Sequence, residues 1–518
     1  MATTKPLMYS LPVTGTSQRV VYTNGAENGS ATPESEDGSS STNGAPAPTK
    51  KRREPKNDDL LRAFIAEPAD DDGNSKCAFA MFGDRFLYCE AFGWMAWTGT
   101  HWRQDDAEAD IDRAIVAMLK ARRIAAVQAD KEVVVKATAG TAKRVRDTKS
   151  LFRSLVATSV DEFDQDPDLL NVKNGVLDLR NGGLTPHAPG QRFTYCIQVD
   201  YDASADDTLW REFLAANVAG GQPVLDYLQM AVGYTITGHT SEECLWYVFG
   251  PSRSGKGTFT EVLLRLLGSP LSVEVDFATF TSKREGDTQN FDLAPLKPAR
   301  LIVTSESNRY ETLNAGKIKQ LTGGNYVRAA YKHRDLFTYR PQFKPWLVSN
   351  QPVNADVDDD ALWYRVKVIE FPVGHIGNED KSLKPKMKSP ENLRAVLRWA
   401  VEGAKQWYAA DDGLQHPTEI VAATKKQRDE IDFVGGWIEE CTSQSDQEWW
   451  TSNNEAYENY QGWCRRTGIQ PKMLRGFLRA LKSKGIATDT QKKIDGRMHK
   501  GIKGLRVHAF DAIVEMRR

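Results

Sequence analysis

The chain has 518 residues, 40% of them hydrophobic and 26% charged, with a formal net charge of −1; its length suits about three domains. Balanced charge excludes a polycation that coats nucleic acid along its whole surface, so any DNA contact must rest on local clusters of Lys and Arg. The six cysteines (77, 89, 196, 244, 441, 464) include no C-x-x-C pair, and no run approaches the roughly 18 apolar residues of a membrane span. A disulfide framework, a zinc site, a membrane anchor and a secretory signal are therefore not indicated, and the expected compartment is a reducing cytoplasm.

Residues 1–58 read as a disordered tail, because 23–48 are Gly, Ser, Asn, Ala, Pro and Glu with little to bury. The tail ends in Lys50-Lys51-Arg52-Arg53, which is either a solvated charge run or a DNA or nuclear-address patch. A short helix starts near Asp59. Aromatics and glycines over 85–102 predict small hairpins, with Trp94, Trp97 and Trp102 serving as core or as stacking surfaces for bases. Residues 107–157 carry helical spacing and several basic residues, Arg122 among them. Alternation around Asn174-Gly175 predicts a hairpin, and 210–238 predict two helices. An α+β N-terminal domain over 59–205 follows.

The next stretch carries the chemistry. Residues 245–249 are an apolar strand. They run into Gly250-Pro251-Ser252-Arg253-Ser254-Gly255-Lys256, after which Phe259, Val262, Leu263, Leu266 and Leu267 keep helical spacing up to Gly268. Strand, G-x-x-x-x-G-K and helix are the context of a phosphate-binding loop: glycines let backbone N–H groups turn toward a phosphate, and the helix points its positive end there. Lys256 adds a cation for the β- and γ-phosphates. The usual Ser/Thr after the lysine is Gly257, so Thr258, one position later, is the candidate Mg²⁺ ligand. Further on, an apolar strand over 299–306 ends in Glu306. Another over 343–350 ends in Asn350, and a third over 363–371 carries Arg365. An acid can hold Mg²⁺ and polarise a water, an amide can orient that water, and an arginine can meet developing phosphoryl charge. Between them, 321–335 form a glycine-bounded hairpin whose tip, Lys332, His333 and Arg334, is either a DNA-backbone contact or a solvated basic turn.

Downstream, 391–411 predict an amphipathic helix, and 418–441 continue helical. Residues 449–504 read as helix, helix and hairpin. The second helix aligns Lys472, Arg475, Arg479 and Lys482 on one face, and the hairpin turns at Asp495-Gly496. That is the pattern of a winged helix, a module that meets DNA or a protein partner.

In order and spacing, LLNVKNGVLDL (169–179), GPSRSGKGTF (250–259), LIVTSE (301–306), LTGG (321–324), YKH (331–333), VSNQP (348–352) and DALWYRVKVIEF (360–371) resemble the superfamily 3 helicases of phages and plasmids. These are the primase-helicase type related to the poxvirus primase-helicase. The resemblance implies an α/β P-loop, AAA+-like core over 206–390 with a C-terminal helical and winged-helix domain over 391–518. It implies a hexameric ring that hydrolyses ATP with Mg²⁺ and moves 3′ to 5′ on single-stranded and forked DNA, working with a separate primase or host polymerase. Carried over, Lys256 and Thr258 bind phosphate and metal, Glu306 completes the metal and water site, and Asn350 is the sensor. Arg365 is the finger offered to a neighbouring subunit, and Lys332 and His333 grip DNA. Ser305 stands where many relatives have a second acid. No carboxylate cluster on strands suits a two-metal primase; Asp105, Asp106, Glu108 and Asp110 sit at a helix start, where acids favour the dipole. A helicase without priming activity is the expectation. An ATP-dependent initiator or loader and, more remotely, a nucleotide kinase are the alternatives.

Overall fold

The computed structural model describes residues 57–281, 293–305, 312–329, 336–377, 380–445 and 449–508, all within one contact unit, Lys56–Arg518. Residues 1–56, including the basic run at 50–53, lie outside the described residues.

Helices α1 (Asn57–Ala66) and α2 (Asp71–Phe82) precede a meander of β1 (Phe86–Cys89), β2 (Gly93–Trp97) and β3 (Trp102–Arg103). Helices α3 (Ala107–Gln128), α4 (Glu132–Ala137) and α5 (Ala142–Leu155) pack beside them. Helix α2 has no apolar stripe to announce it, because its buried side is mostly small or polar (Gly73, Asn74, Ser75, Cys77, Ala78) and its start is set by the Asp70 side chain accepting from Gly73 N. Trp94 and Trp102 are buried, so these aromatics pack the interior. Arg122, one of the basic residues of 107–157, is fully buried. It donates to Asn74 Oδ1 and to the carbonyls of Phe64, Glu67 and Pro68 at 2.7–2.9 Å. It therefore serves the end of α1 and not a surface.

The predicted hairpin forms as β4 (Leu169–Val172) and β5 (Gly175–Asp178), joined by β6 (Gly183–Thr185). Then come α6 (Thr208–Asn217), α7 (Gly221–Ile236), β7 (Leu245–Phe249), α8 (Lys256–Leu267), β8 (Ser272–Glu274) and β9 (Leu301–Ser305). They are followed by α9 (Ala315–Thr322), β10 (Val327–Ala329), β11 (Phe337–Tyr339), β12 (Lys344–Ser349), α10 (Asp360–Arg365), β13 (Val366–Glu370), α11 (Leu383–Met387) and α12 (Pro390–Ala409). Five of these strands form one parallel sheet in the order β13-β7-β12-β9-β8. Successive side chains leave opposite faces of a strand, and here both faces are buried. Trp246, Val248, Trp346 and Val348 join the cluster under α6, α7, α8 and α12. Leu245, Tyr247, Leu347 and Val368 join the cluster formed with α9, β10 and β11. Two-sided burial explains the near-continuous apolar runs.

On α8, Phe259, Val262, Leu263, Leu266 and Leu267 are all buried, each worth about 1.5–3 kcal/mol against exposure. Helices α7 and α12 touch backbone to backbone: a Cβ on Gly403 would lie 2.0 Å from Gln229 O, and one on Gly233 2.1 Å from Ala404 N.

The rest comprises α13 (Thr418–Glu430), α14 (Phe433–Cys441), β14 (Thr442–Gln444), β15 (Trp450–Ser452), α15 (Asn453–Thr467), α16 (Leu474–Ser483), β16 (Thr490–Ile494), β17 (Arg497–Lys503) and β18 (Leu505–Val507). Trp437, Tyr460, Trp463, Phe477 and Leu481 build a separate apolar cluster. Strands β16 and β17 pair around Asp495-Gly496, both at positive φ, as the predicted turn requires. Residues 491–500 are all exposed. Among the described residues, no helix is long and apolar enough to cross a membrane.

Candidate functional site

The loop from Gly250 to Lys256 turns between the carboxyl end of β7 and the first turn of α8. Two glycines make the turn possible. Gly250 has φ +153, and a Cβ there would sit 2.0 Å from Phe371 O. Gly255 has φ +91, and a Cβ there would press on Asn217 and Phe213. The Lys256 side chain bends back over the loop and donates to Gly250 O and Pro251 O at 2.7 Å and to Ser254 Oγ at 3.1 Å. Burial lowers its pKa to about 8, with no carboxylate among the causes. A cation held by neutral carbonyls at a helix start is short of negative charge, which is what a phosphate supplies.

The loop borders a cavity of about 940 Å³ lined by Ser252, Arg253, Ser254, Gly255, Lys256, Gly257 and Thr258, by Val348, Ser349 and Asn350 of the β12 end, and by parts of α6 and of 375–387. Thr258 is largely buried there, and a side chain at Gly257 would meet nothing nearer than Glu261 Oε1 at 4.0 Å. Among the described residues, no group of three or more His, Cys, Asp or Glu could hold a metal ion. A hydroxyl such as that of Thr258 suits a largely hydrated Mg²⁺ that takes its remaining ligands from phosphate and one acid.

Strand order brings Asn350 in. β12 lies between β7 and β9, so the residue following β12 faces the loop, and Asn350 Nδ2 donates to Ser252 Oγ at 3.2 Å. Glu306 directly follows β9 but lies outside the described residues, as do Lys332, His333 and Arg334. The strands that lead to that tip are described: β10 and β11 pair antiparallel with Val327 opposite Tyr339.

Arg365 differs from its expected setting. Residues 363–365 are not strand; they are the last residues of α10, and β13 begins at Val366. The Asp359 side chain accepts from Leu362 N and caps that helix, which overrides the apolar look of the segment. Val366 pairs with Leu245 and Glu370 with Phe249. Arg365 therefore sits at the amino edge of the sheet, five residues or roughly 16 Å of strand from the loop edge. There it forms an ion pair with Glu243, a residue at φ +50, and donates to Ala361 O at 2.9 Å. It does not reach the Lys256 site of its own chain.

Sequence reasoning missed Asn217 and His375. Asn217 Oδ1 and His375 Nε2 are 2.8 Å apart, and His375 N donates to Arg253 O at 3.1 Å, so both brace the loop from outside the motif. Neither carries a local signal.

Residues 77–216 match the family model described as D5 N terminal like, and 248–365 match a family of unknown function, DUF5906. A protein of Acanthamoeba polyphaga mimivirus named "Putative helicase L207/L206" is 25% identical over 298 residues, 53% of this chain and 31% of that one. "Putative helicase 022R" of Frog virus 3 (isolate Goorha) is 23% identical over 252 residues, 44% of this chain and 25% of that one. The chain thus spans about a quarter to a third of the curated relatives it matches. Among solved structures, the C-terminal region of NrS-1 aligns over 66% of this chain and 83% of that one at 11% identity and a TM-score of 0.37. The chain is thus similar to D5-like N-terminal regions over 77–216 and, over about half of its length, to viral proteins named as helicases.

Proposed function

We propose that this chain is the ATP-driven motor of a replicative DNA helicase of a phage or virus, with a P-loop core of the superfamily 3 type acting as a hexameric ring that moves 3′ to 5′ on single-stranded DNA. The observation that carries the reading is the meeting of Ser252 and Asn350 at the carboxyl ends of adjacent parallel strands, beside a lysine held by carbonyls alone. Ligands of open parallel sheets bind at such strand ends.

Lys256 and the N–H groups at the start of α8 bind the β- and γ-phosphates, and the lysine regains a full charge partner when they arrive. Thr258 and Glu306 would hold Mg²⁺, which when bound neutralises charge on the phosphate oxygens. Asn350 orients the attacking water, with Glu306 as its polarising acid. Arg365, at the far edge of the sheet, serves the site of a neighbouring subunit, where its charge meets the γ-phosphoryl group. Hydrolysis then reports the position of the neighbour and shifts the 327–339 hairpins with their Lys332, His333 and Arg334 tips, and so the strand. The helix-helix-hairpin over 449–504 acts as a winged helix that docks the motor on its substrate or partner.

The test is ATP hydrolysis with and without single-stranded DNA, on the wild type and Lys256→Ala, beside strand displacement on a forked duplex. DNA-stimulated hydrolysis with unwinding, both lost in Lys256→Ala, is the expected result. Hydrolysis that DNA does not stimulate, without unwinding, would replace the motor with an initiator or loader.

A further inference from the structure

The cavity beside Lys256 extends well beyond the phosphate loop. Asn350 marks its β12 side, where the terminal phosphate would lie. β13 flanks β7 on the other side, and the chain leaving β13 passes behind the loop to His375 and on to α11. On that side Leu209 and Phe213 from α6 and Leu383 and Met387 from α11 give an apolar floor, bordered by the charged Glu212, Asp380, Lys381 and Lys384. An apolar slot between two helices, opening from a phosphate loop, has the character of a nucleobase site.

One polar group in the lining has a defined sense. Asn217 Nδ2 lies 2.7 Å from Phe213 O. A carbonyl only accepts, so the amide nitrogen must face it and Oδ1 must face His375. That oxygen accepts from His375 Nε2 at 2.8 Å, which places the imidazole proton on Nε2. The Nδ1 atom of neutral His375 is then a lone-pair acceptor. It has no hydrogen bond among the described residues.

We propose that the base of the nucleoside triphosphate lies in the slot between α6 and α11, and that His375 Nδ1 accepts a hydrogen bond from its exocyclic amine. This deepens the phosphate-loop reading and rests on it. Adenine and cytosine carry an amine at that edge; guanine and uracil carry a carbonyl, which would leave two acceptors facing each other. The site thus selects bases with an amine, and not a carbonyl, at that edge; His375 sets this choice, and Leu209 and Phe213 hold the base whichever it is. Helix α6, within and just past the D5-like match, supplies part of the slot, so the two matched regions meet at one ligand.

The experiment is calorimetric titration of the full chain with the magnesium complexes of ATP, GTP and inorganic tripolyphosphate. Wild type is expected to bind ATP ~10–100-fold more tightly than GTP, the usual range for a site built around one base-edge hydrogen bond. His375→Phe keeps a ring in place and is expected to abolish the preference of ATP over GTP, while any loss through the Asn217 brace falls equally on both nucleotides and on tripolyphosphate. Leu209→Asp, on the rim of the slot, is expected to weaken ATP and GTP together and spare tripolyphosphate. Equal binding of ATP and GTP by wild type, or equal losses for both in His375→Phe, would overturn the proposal while leaving the phosphate loop intact. A wild type that binds neither nucleotide nor tripolyphosphate would instead remove the phosphate-loop reading, and the slot with it.

Discussion

Asn350 donates its side-chain amide to the Ser252 hydroxyl across 3.2 Å, although 98 residues separate them in the chain. The contact exists because β12 is inserted between β7 and β9. On the proposed reading, it holds an amide beside a loop-bound phosphate, where it would orient the attacking water. Asn350→Ala is expected to lower the rate of ATP hydrolysis ~10²-fold, the usual cost of losing one oriented donor, with ATP affinity changed much less. Steady-state kinetics beside a direct binding titration separate the two effects. If affinity collapsed and turnover of the bound nucleotide persisted, the amide would be a brace for Ser252 and not a sensor.

Lys256 gives a pH dependence with a definite sign. Burial lowers its folded pKa to about 8, below the ordinary lysine value. Below that pH the lysine is charged in both folded and unfolded chains, and its burial cost is fully present. As pH rises from about 8 toward the ordinary value the cost is relieved, so the nucleotide-free protein gains stability over that window. Phosphate binding restores the charge. Near pH 9, nucleotide binding is therefore expected to take up about one proton, and near pH 7 almost none. Titrations in buffers of different ionisation enthalpy measure this uptake, which Lys256→Ala should abolish.

Arg365 is too far along the sheet to serve its own Lys256. Arg365→Ala is expected to bind ATP but to hydrolyse it ~10³-fold or more slowly, as for an arginine finger supplied in trans. Because Arg365 also pairs with Glu243, a melting curve must accompany the assay. Mixing Arg365→Ala with Lys256→Ala chains should restore part of the activity, since each variant keeps what the other lacks. A mixture as inactive as its components would argue against sharing of the site between subunits.

The crossing of α7 and α12 has no room for a methyl group. Gly403→Ala places its Cβ against Gln229 O and is expected to cost about 1–3 kcal/mol of stability through overpacking. Thermal or urea unfolding would register the loss, and an unchanged midpoint would mean that the two helices part easily.

Arg122→Leu tests a basic residue that belongs to the interior. It removes four hydrogen bonds to groups around α1 and α2. A loss of about 2–4 kcal/mol is expected, because the accepting carbonyls stay buried without donors. DNA affinity should change only as far as folding does.

Much of this protein is visible in local pattern. The apolar run at 245–249, the glycines at 250 and 255, and the 3.6-residue spacing from Phe259 to Leu267 specify strand, loop and helix. Each of these depends on neighbours a few residues apart, as do the turns at Asn174-Gly175 and Asp495-Gly496. Helix α2 escaped because its buried face is small and polar. The end of α10 has the apolar look of a strand, but the cap at Asp359 outweighs that propensity. Other features depend on pairings between distant segments, which no local period encodes. The insertion of β12 beside β7 sets Asn350 on Ser252. Parallel pairing of β13 with β7 carries Arg365 to the opposite edge, and burial of α3 turns Arg122 from a surface cation into an internal clamp. Residues 158 apart become the Asn217–His375 pair behind the loop. Backbone conformation and side-chain alternation are paid for locally and can be read locally; strand order and helix crossings arise from burying both faces of one sheet, a condition that the whole chain satisfies at once.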